Sequence, residues 1–172
     1  SILIWSSNTL GDLGRSVKGQ PALQQLSDEL TAGSVVGLKK LVEIAEKDPA
    51  AITSANRKME DVQRLMAQAY TASGKYEEAA ELYKKLLSAN AMQVLVQIDA
   101  ARNFQLWSQD KDAAKLKQAM LGAEPDPKRP GKNIIWGWGE LSKVLNISMS
   151  KQPAVKPLFF DARYQIAACR MK

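Results

Sequence analysis

Apolar residues recur at intervals of three and four along most of this chain, with polar residues between them, a spacing that predicts amphipathic helices. Pro21 suits a first helical position, and Leu23, Leu26 and Leu30 continue a helix over about 21–32. Ala32-Gly33-Ser34 breaks that pattern, and Leu38, Leu41, Val42 and Ala45 define a second helix over about 35–47. Asp48-Pro49 stops it and opens a long helix, about 49–73, with Val62, Leu65, Met66, Ala69 and Tyr70 on one face. Further helices are predicted over 76–88, 91–107 and 111–121, with Ser108-Gln109-Asp110 as a break between the last two. Residues 1–20 are less regular: Gly11, Gly14 and Gly19 interrupt Leu10, Leu13 and Val17, which allow a broken helix. The segment 122–132 holds three prolines and two glycines and reads as a loop. Asn133 suits the cap of a helix over about 134–145, Pro153 and Pro157 mark another loop, and a last helix starts near Leu158. No segment alternates with period two for long enough to predict a strand.

Two consecutive stretches, Glu60–Gln93 and Val94–Pro127, are each 34 residues long and follow one another without a spacer. The eighth residue of each is small, Ala67 and Ala101, and so is the twentieth, Ala79 and Ala113. The eleventh is aromatic, Tyr70 and Phe104, and the first unit adds Gly74, Tyr76 and Tyr83. Small residues let two helices approach, and aromatic residues fill the space beside that contact. Gly74 suits a left-handed turn between them. On these residues, above all Gly74-Lys75-Tyr76-Glu77-Glu78-Ala79 and the in-phase Ala101, Phe104, Ala113 and Pro125, the chain resembles the tetratricopeptide repeat family. It departs from that pattern at Gln63 and Gln97, where tryptophan is usual, at Leu86 and Met120, which are bulkier than the usual alanine, and at Lys117.

The resemblance implies an all-α fold, an αα-hairpin solenoid of about seven or eight helices wound as a right-handed superhelix. It further implies one repeat domain over 1–172, with 21–48 as a degenerate hairpin, 122–132 as an insertion loop and 158–172 as the start of a further repeat. The chain opens within an apolar run and stops within a helical pattern, which reads as a piece of a longer protein.

Composition narrows the function classes. The chain has no His, which removes Ser–His and Cys–His nucleophilic systems and most zinc sites. One cysteine, Cys169, cannot form a disulfide within the chain. No apolar run reaches the roughly 20 residues of a membrane span. Residues 111–172 carry 12 basic and 5 acidic side chains, so all of the excess positive charge, +6 for the chain, lies there.

Repeat arrays present surfaces, and the first helix of each hairpin lines the concave side. The family resemblance places Asp61, Arg64, Gln68 and Thr71 in the groove from the first unit. From the second it places Leu95, Ile98, Asp99, Arg102 and Gln105, with Leu106. Arginines beside apolar ground suit a peptide or a helix of a protein partner. The family's clamp for a terminal carboxylate is not present, because Arg64 and Gln68 stand at two of its positions and Asp99 at a third. A second candidate surface joins Lys128, Arg129 and Lys132 to Trp136 and Trp138. The function expected is non-catalytic: a protein-interaction or scaffolding module without cofactor or metal. Two alternatives stay open, a nucleic-acid-binding helical repeat acting through the basic last third, and the helical scaffold of a larger enzyme.

Overall fold

The computed structural model describes residues 2–48, 50, 58–109 and 111–171. The fold is all-α, with eight α-helices and one pair of three-residue strands among the described residues. Where one domain was expected, the chain forms two compact units, Ser1–Leu82 and Tyr83–Lys172.

In the first unit, α1 runs unbroken from Ile2 to Val17. A 3-10 turn at Pro21–Leu23 leads into α2, Gln24–Lys47. The expected break at Ala32-Gly33-Ser34 does not occur, so 21–48 is not a hairpin of its own but one helix paired with α1. The reason is tertiary. Glycine costs about 1 kcal/mol in a helix relative to alanine, but here it permits a close antiparallel contact. A side chain at Gly11 would meet Ser34, one at Gly14 would meet Thr31 Oγ1 at 2.5 Å, and one at Gly37 would collide with Ser7. The hydroxyls trapped in this seam are satisfied, with Ser27 Oγ donating to the Gly14 carbonyl at 2.8 Å and Thr31 Oγ1 to the Ser27 carbonyl at 2.7 Å. Gly14→Val should therefore push α1 and α2 apart and cost about 1–3 kcal/mol, read as a lower urea midpoint, whereas Gly19→Val meets no neighbour within 4 Å and tests backbone strain alone.

Helix α3, Met59–Ala72, begins after Lys58, whose backbone is extended, so the long helix expected over 49–73 does not pass through that residue. Positions 49 and 51–57 lie outside the described residues. Val62, Met66, Ala69 and Tyr70 are buried on the face that the periodicity predicts. The turn after α3 takes the form expected of Gly74, whose φ is +76°. Lys75 N–H donates to the Tyr70 carbonyl at 2.9 Å and Gly74 N–H to the Thr71 carbonyl at 3.2 Å, the two bonds of a Schellman ending. Helix α4, Tyr76–Ala89, follows, and the boundary between the compact units falls within it.

The second unit contains α5 (Val94–Trp107), α6 (Ala113–Leu121), strands β1 (Ala123–Pro125) and β2 (Asn133–Ile135), α7 (Trp138–Met149) and α8 (Lys156–Arg170). Helix α5 starts three residues later than expected, because Asn90 Oδ1 accepts from Met92 N–H and holds a turn there. Helix α6 starts at Ala113 because Asp112 caps it, its carboxylate accepting from Lys115 N–H at 3.0 Å. As a result Ala113, expected at a small interior position, is exposed at the helix start, and Ala119 is the small residue buried in α6.

The segment expected to be a featureless loop contains β1 and leads to its partner. Ala123 pairs with Ile135 and Pro125 with Asn133 in antiparallel register. Pro125 sits at the end of a strand that has no further neighbour, a place proline tolerates. Asn133 therefore does not cap a helix. It lies in β2, and its side chain donates to the Leu121 carbonyl at 3.2 Å. Helix α7 starts at Trp138 instead, four residues later than expected. The two glycines Gly122 and Gly137 set this junction. A side chain at Gly137 would collide with Gly122 N and lie 2.6 Å from the Met120 carbonyl oxygen, so backbone packs directly on backbone here. Pro157 falls in the first turn of α8, where its missing N–H costs nothing.

Candidate interaction surface

A chain of hydrogen bonds positions three elements of the second unit against one another. Gln97, fully buried on α5, donates through Nε2 to the carbonyls of Ala91 and Ile134, both at 2.9 Å. Its Oε1 accepts from Trp136 N–H at 2.7 Å. Two turns on, Gln105 Oε1 accepts from Trp138 Nε1 at 2.9 Å and Gln105 Nε2 donates to Gln165 Oε1 at 2.9 Å. Gln165 Nε2 donates to Asp161 Oδ1 at 3.0 Å, and Asp161 Oδ2 accepts from Arg102 Nη2 at 3.1 Å. These bonds run from the start of α7 across α5 to α8. The pairs 102–161 and 105–165 thus tie side chains of α5 to side chains of α8.

This network decides the fate of the residues expected in a groove. Arg102 and Gln105 are bound to α8, and Ile98 is buried, so these three are not available to a ligand in the way expected. Leu95 and Leu106 remain exposed, and Asp99 is half-buried. On α3, Asp61 accepts from the Lys58 N–H at 3.2 Å at the helix start, and Thr71 is buried with its hydroxyl donating to the Ala67 carbonyl. Arg64 and Gln68 are half-buried. The groove positions of the first unit thus serve the helix that carries them at two of four places.

The basic and aromatic cluster is also used internally. Trp136 and Trp138 are 6% and 0% exposed and offer almost no surface; both are bound to α5, through Gln97 and Gln105. Arg129 Nε is 2.5 Å from Asp126 Oδ2, and this hydrogen bond, with a second from Lys128 N–H, holds the Asp126 carboxyl below the usual carboxylate range. Lys132 and Lys143 both reach Glu140 at 3.4 Å. Burial opposes the charge on Glu140, yet the two lysines hold its pKa below the ordinary value. Lys84 pairs with Glu124 at 2.8 Å, and Lys115 lies 3.4 Å over the Trp107 ring. Arg129, Lys132, Lys143 and Lys115 of the basic last third are therefore already matched. Beside this cluster a cleft of about 260 Å³ opens between Leu87, Ser88 and Ala89 at the end of α4 and Asp126–Arg129. No three His, Cys, Asp or Glu side chains among the described residues are arranged to hold a metal ion, and no described helix is long and apolar enough to cross a membrane.

What the expectations missed is on α8. Phe160 and Tyr164 are 57% and 68% exposed, the largest aromatic surface of the second unit. The signal was present in the spacing of Phe160, Tyr164 and Met171, but on a helix ascribed to a further repeat such residues read as core. Comparison with protein-family models, with curated proteins and with solved structures found no match to this chain.

Proposed function

We propose that this chain is a non-catalytic protein-interaction module of tetratricopeptide-like helical hairpins, which docks a peptide or helix of a partner protein. The observation that supports this reading is the set of exposed apolar side chains on two helices that are tied together by Arg102–Asp161 and Gln105–Gln165: Leu95 and Leu106 on α5, Phe160 and Tyr164 on α8. Exposed apolar side chains grouped on one side of a soluble fold are a mark of protein docking. Exposed apolar ground of this kind suits a helix or extended segment of a partner. Arg102 and Gln105, expected as ligand-facing residues, tie α5 to α8, so the side chains offered to the partner are the apolar ones.

A photo-crosslinking residue at Leu106 tests the assignment. It should give a discrete protein adduct in a lysate of the source cell, and the same residue at Glu77, exposed on α4, should not. Adducts at both positions, or at neither, reject this face as the docking surface.

A further inference from the structure

We infer that the outer stripe of α8 receives an amphipathic helix with an acidic edge; this rests on the interaction-module reading and specifies its partner. Phe160, Tyr164, Ala167 and Met171 follow one another at spacings of four, three and four and are all exposed, Met171 at 86%. The stripe is about 16 Å long at the helical rise, three turns of a docking helix. It lies opposite Ala162 and Cys169, the two residues that α8 buries. Helix α8 is thus amphipathic twice over: one small face packs on its own unit, and a larger apolar face has no cover.

Charge along the stripe sets the chemistry of the occupant. On its far side from α5 stand Lys156, Arg163 and Arg170, seven residues apart and each exposed. None of the three has an ion-pair partner among the described residues, whereas Lys115, Arg129, Lys132 and Lys143 of the same third are paired or stacked. The one acidic residue of α8, Asp161, is held by Arg102 and Gln165 at the α5 seam. A helix laid on the stripe meets apolar ground along its centre and a row of unmatched cations along one edge. Leucine-type residues at i, i+4, i+7 and i+11 with Glu or Asp along one border match both. A single-stranded nucleic acid would use the aromatic pair and the arginines, but it leaves the Ala167–Met171 end of the stripe unmatched.

The test uses the whole 172-residue chain and three fluorescent 20-residue peptides, read by anisotropy at low salt. One peptide carries the leucine stripe with a Glu edge, the second has Lys in place of Glu, and the third has the composition of the first in shuffled order. The Glu-edged peptide should bind and the other two should not. Arg163→Glu with Arg170→Glu, both on exposed positions that leave the fold intact, should weaken the Glu-edged peptide at least tenfold and create binding of the Lys-edged one. Phe160→Asp should abolish both. Failure of the Glu-edged peptide to bind, or binding that ignores the charge reversal, overturns the inference. So does tighter binding of labelled oligouridylate than of the peptide, or self-association of the chain through Phe160. If Leu106 crosslinks to a partner while the peptides fail, the interaction reading stands and only this assignment falls; if both fail, the reading falls with it.

Discussion

Trp138→Ala is expected to remove about 3–5 kcal/mol of stability from the unit Tyr83–Lys172. The side chain is fully buried at the first residue of α7. Truncation leaves a cavity the size of an indole, and the preceding strand pair is only two residue pairs wide, so little surrounding structure can collapse into it. It also removes the Nε1 donor that Gln105 Oε1 accepts. Gln105 is the link to Gln165 on α8, so the loss propagates to the seam with α5. Urea unfolding followed by far-UV circular dichroism reads the effect without relying on the removed fluorophore. Trp138→Phe separates the two contributions: it retains most of the volume, loses the hydrogen bond, and should cost less than half as much. A cost for Trp138→Ala below 1 kcal/mol would falsify the view that this residue anchors the unit.

The second large effect is predicted at Gln97. Gln97→Met keeps the length of the side chain and removes its donor and acceptor together. Trp136 N–H loses its partner, as do the carbonyls of Ala91 and Ile134 on the side that Gln97 meets. A buried polar group left unsatisfied costs about 1–3 kcal/mol, so a total of about 2–4 kcal/mol is expected. Amide exchange gives the local readout. Protection at Trp136 N–H should fall sharply in Gln97→Met, while amides in α1 and α2 of the other unit keep theirs. Unchanged protection at Trp136 would remove Gln97 from its bridging role.

The interaction face follows from the same network. Arg102 and Asp161 are 48% and 35% exposed at the side chain, so the ion pair itself contributes little in water. Its effect is geometric. With Gln105 and Gln165 it ties α8, which exposes Phe160 and Tyr164, to α5, which exposes Leu95 and Leu106. Breaking the pair by Asp161→Ala should alter partner affinity more than it alters stability.

The all-α class was legible in the sequence because helical periodicity is a local property. The buried face of α3, that of the second half of α2 and the turn at Gly74 follow from local spacing and from the glycine itself. In the first half of α2 the expected Leu26 is exposed and Ser27 and Thr31 are buried instead, because α1 packs there. What failed, failed where distant segments set the outcome. Gly11, Gly14 and the run Ala32-Gly33-Ser34 read as helix breakers in one dimension, yet α1 and α2 run unbroken, with Gly11 and Gly14 at the contact between them. Asn133 read as a cap and proved to be a strand residue, because Gly122 brings Ala123–Pro125 alongside it. Trp136 and Trp138 read as a candidate surface and were buried by α5 through Gln97 and Gln105. Arg102 read as a groove residue and was claimed by Asp161, 59 positions away. Local spacing tells which face of a helix is apolar, but whether that face meets its own chain or remains open for another depends on packing between segments far apart in sequence. That difference makes Ile98 core and leaves Phe160 and Tyr164 exposed.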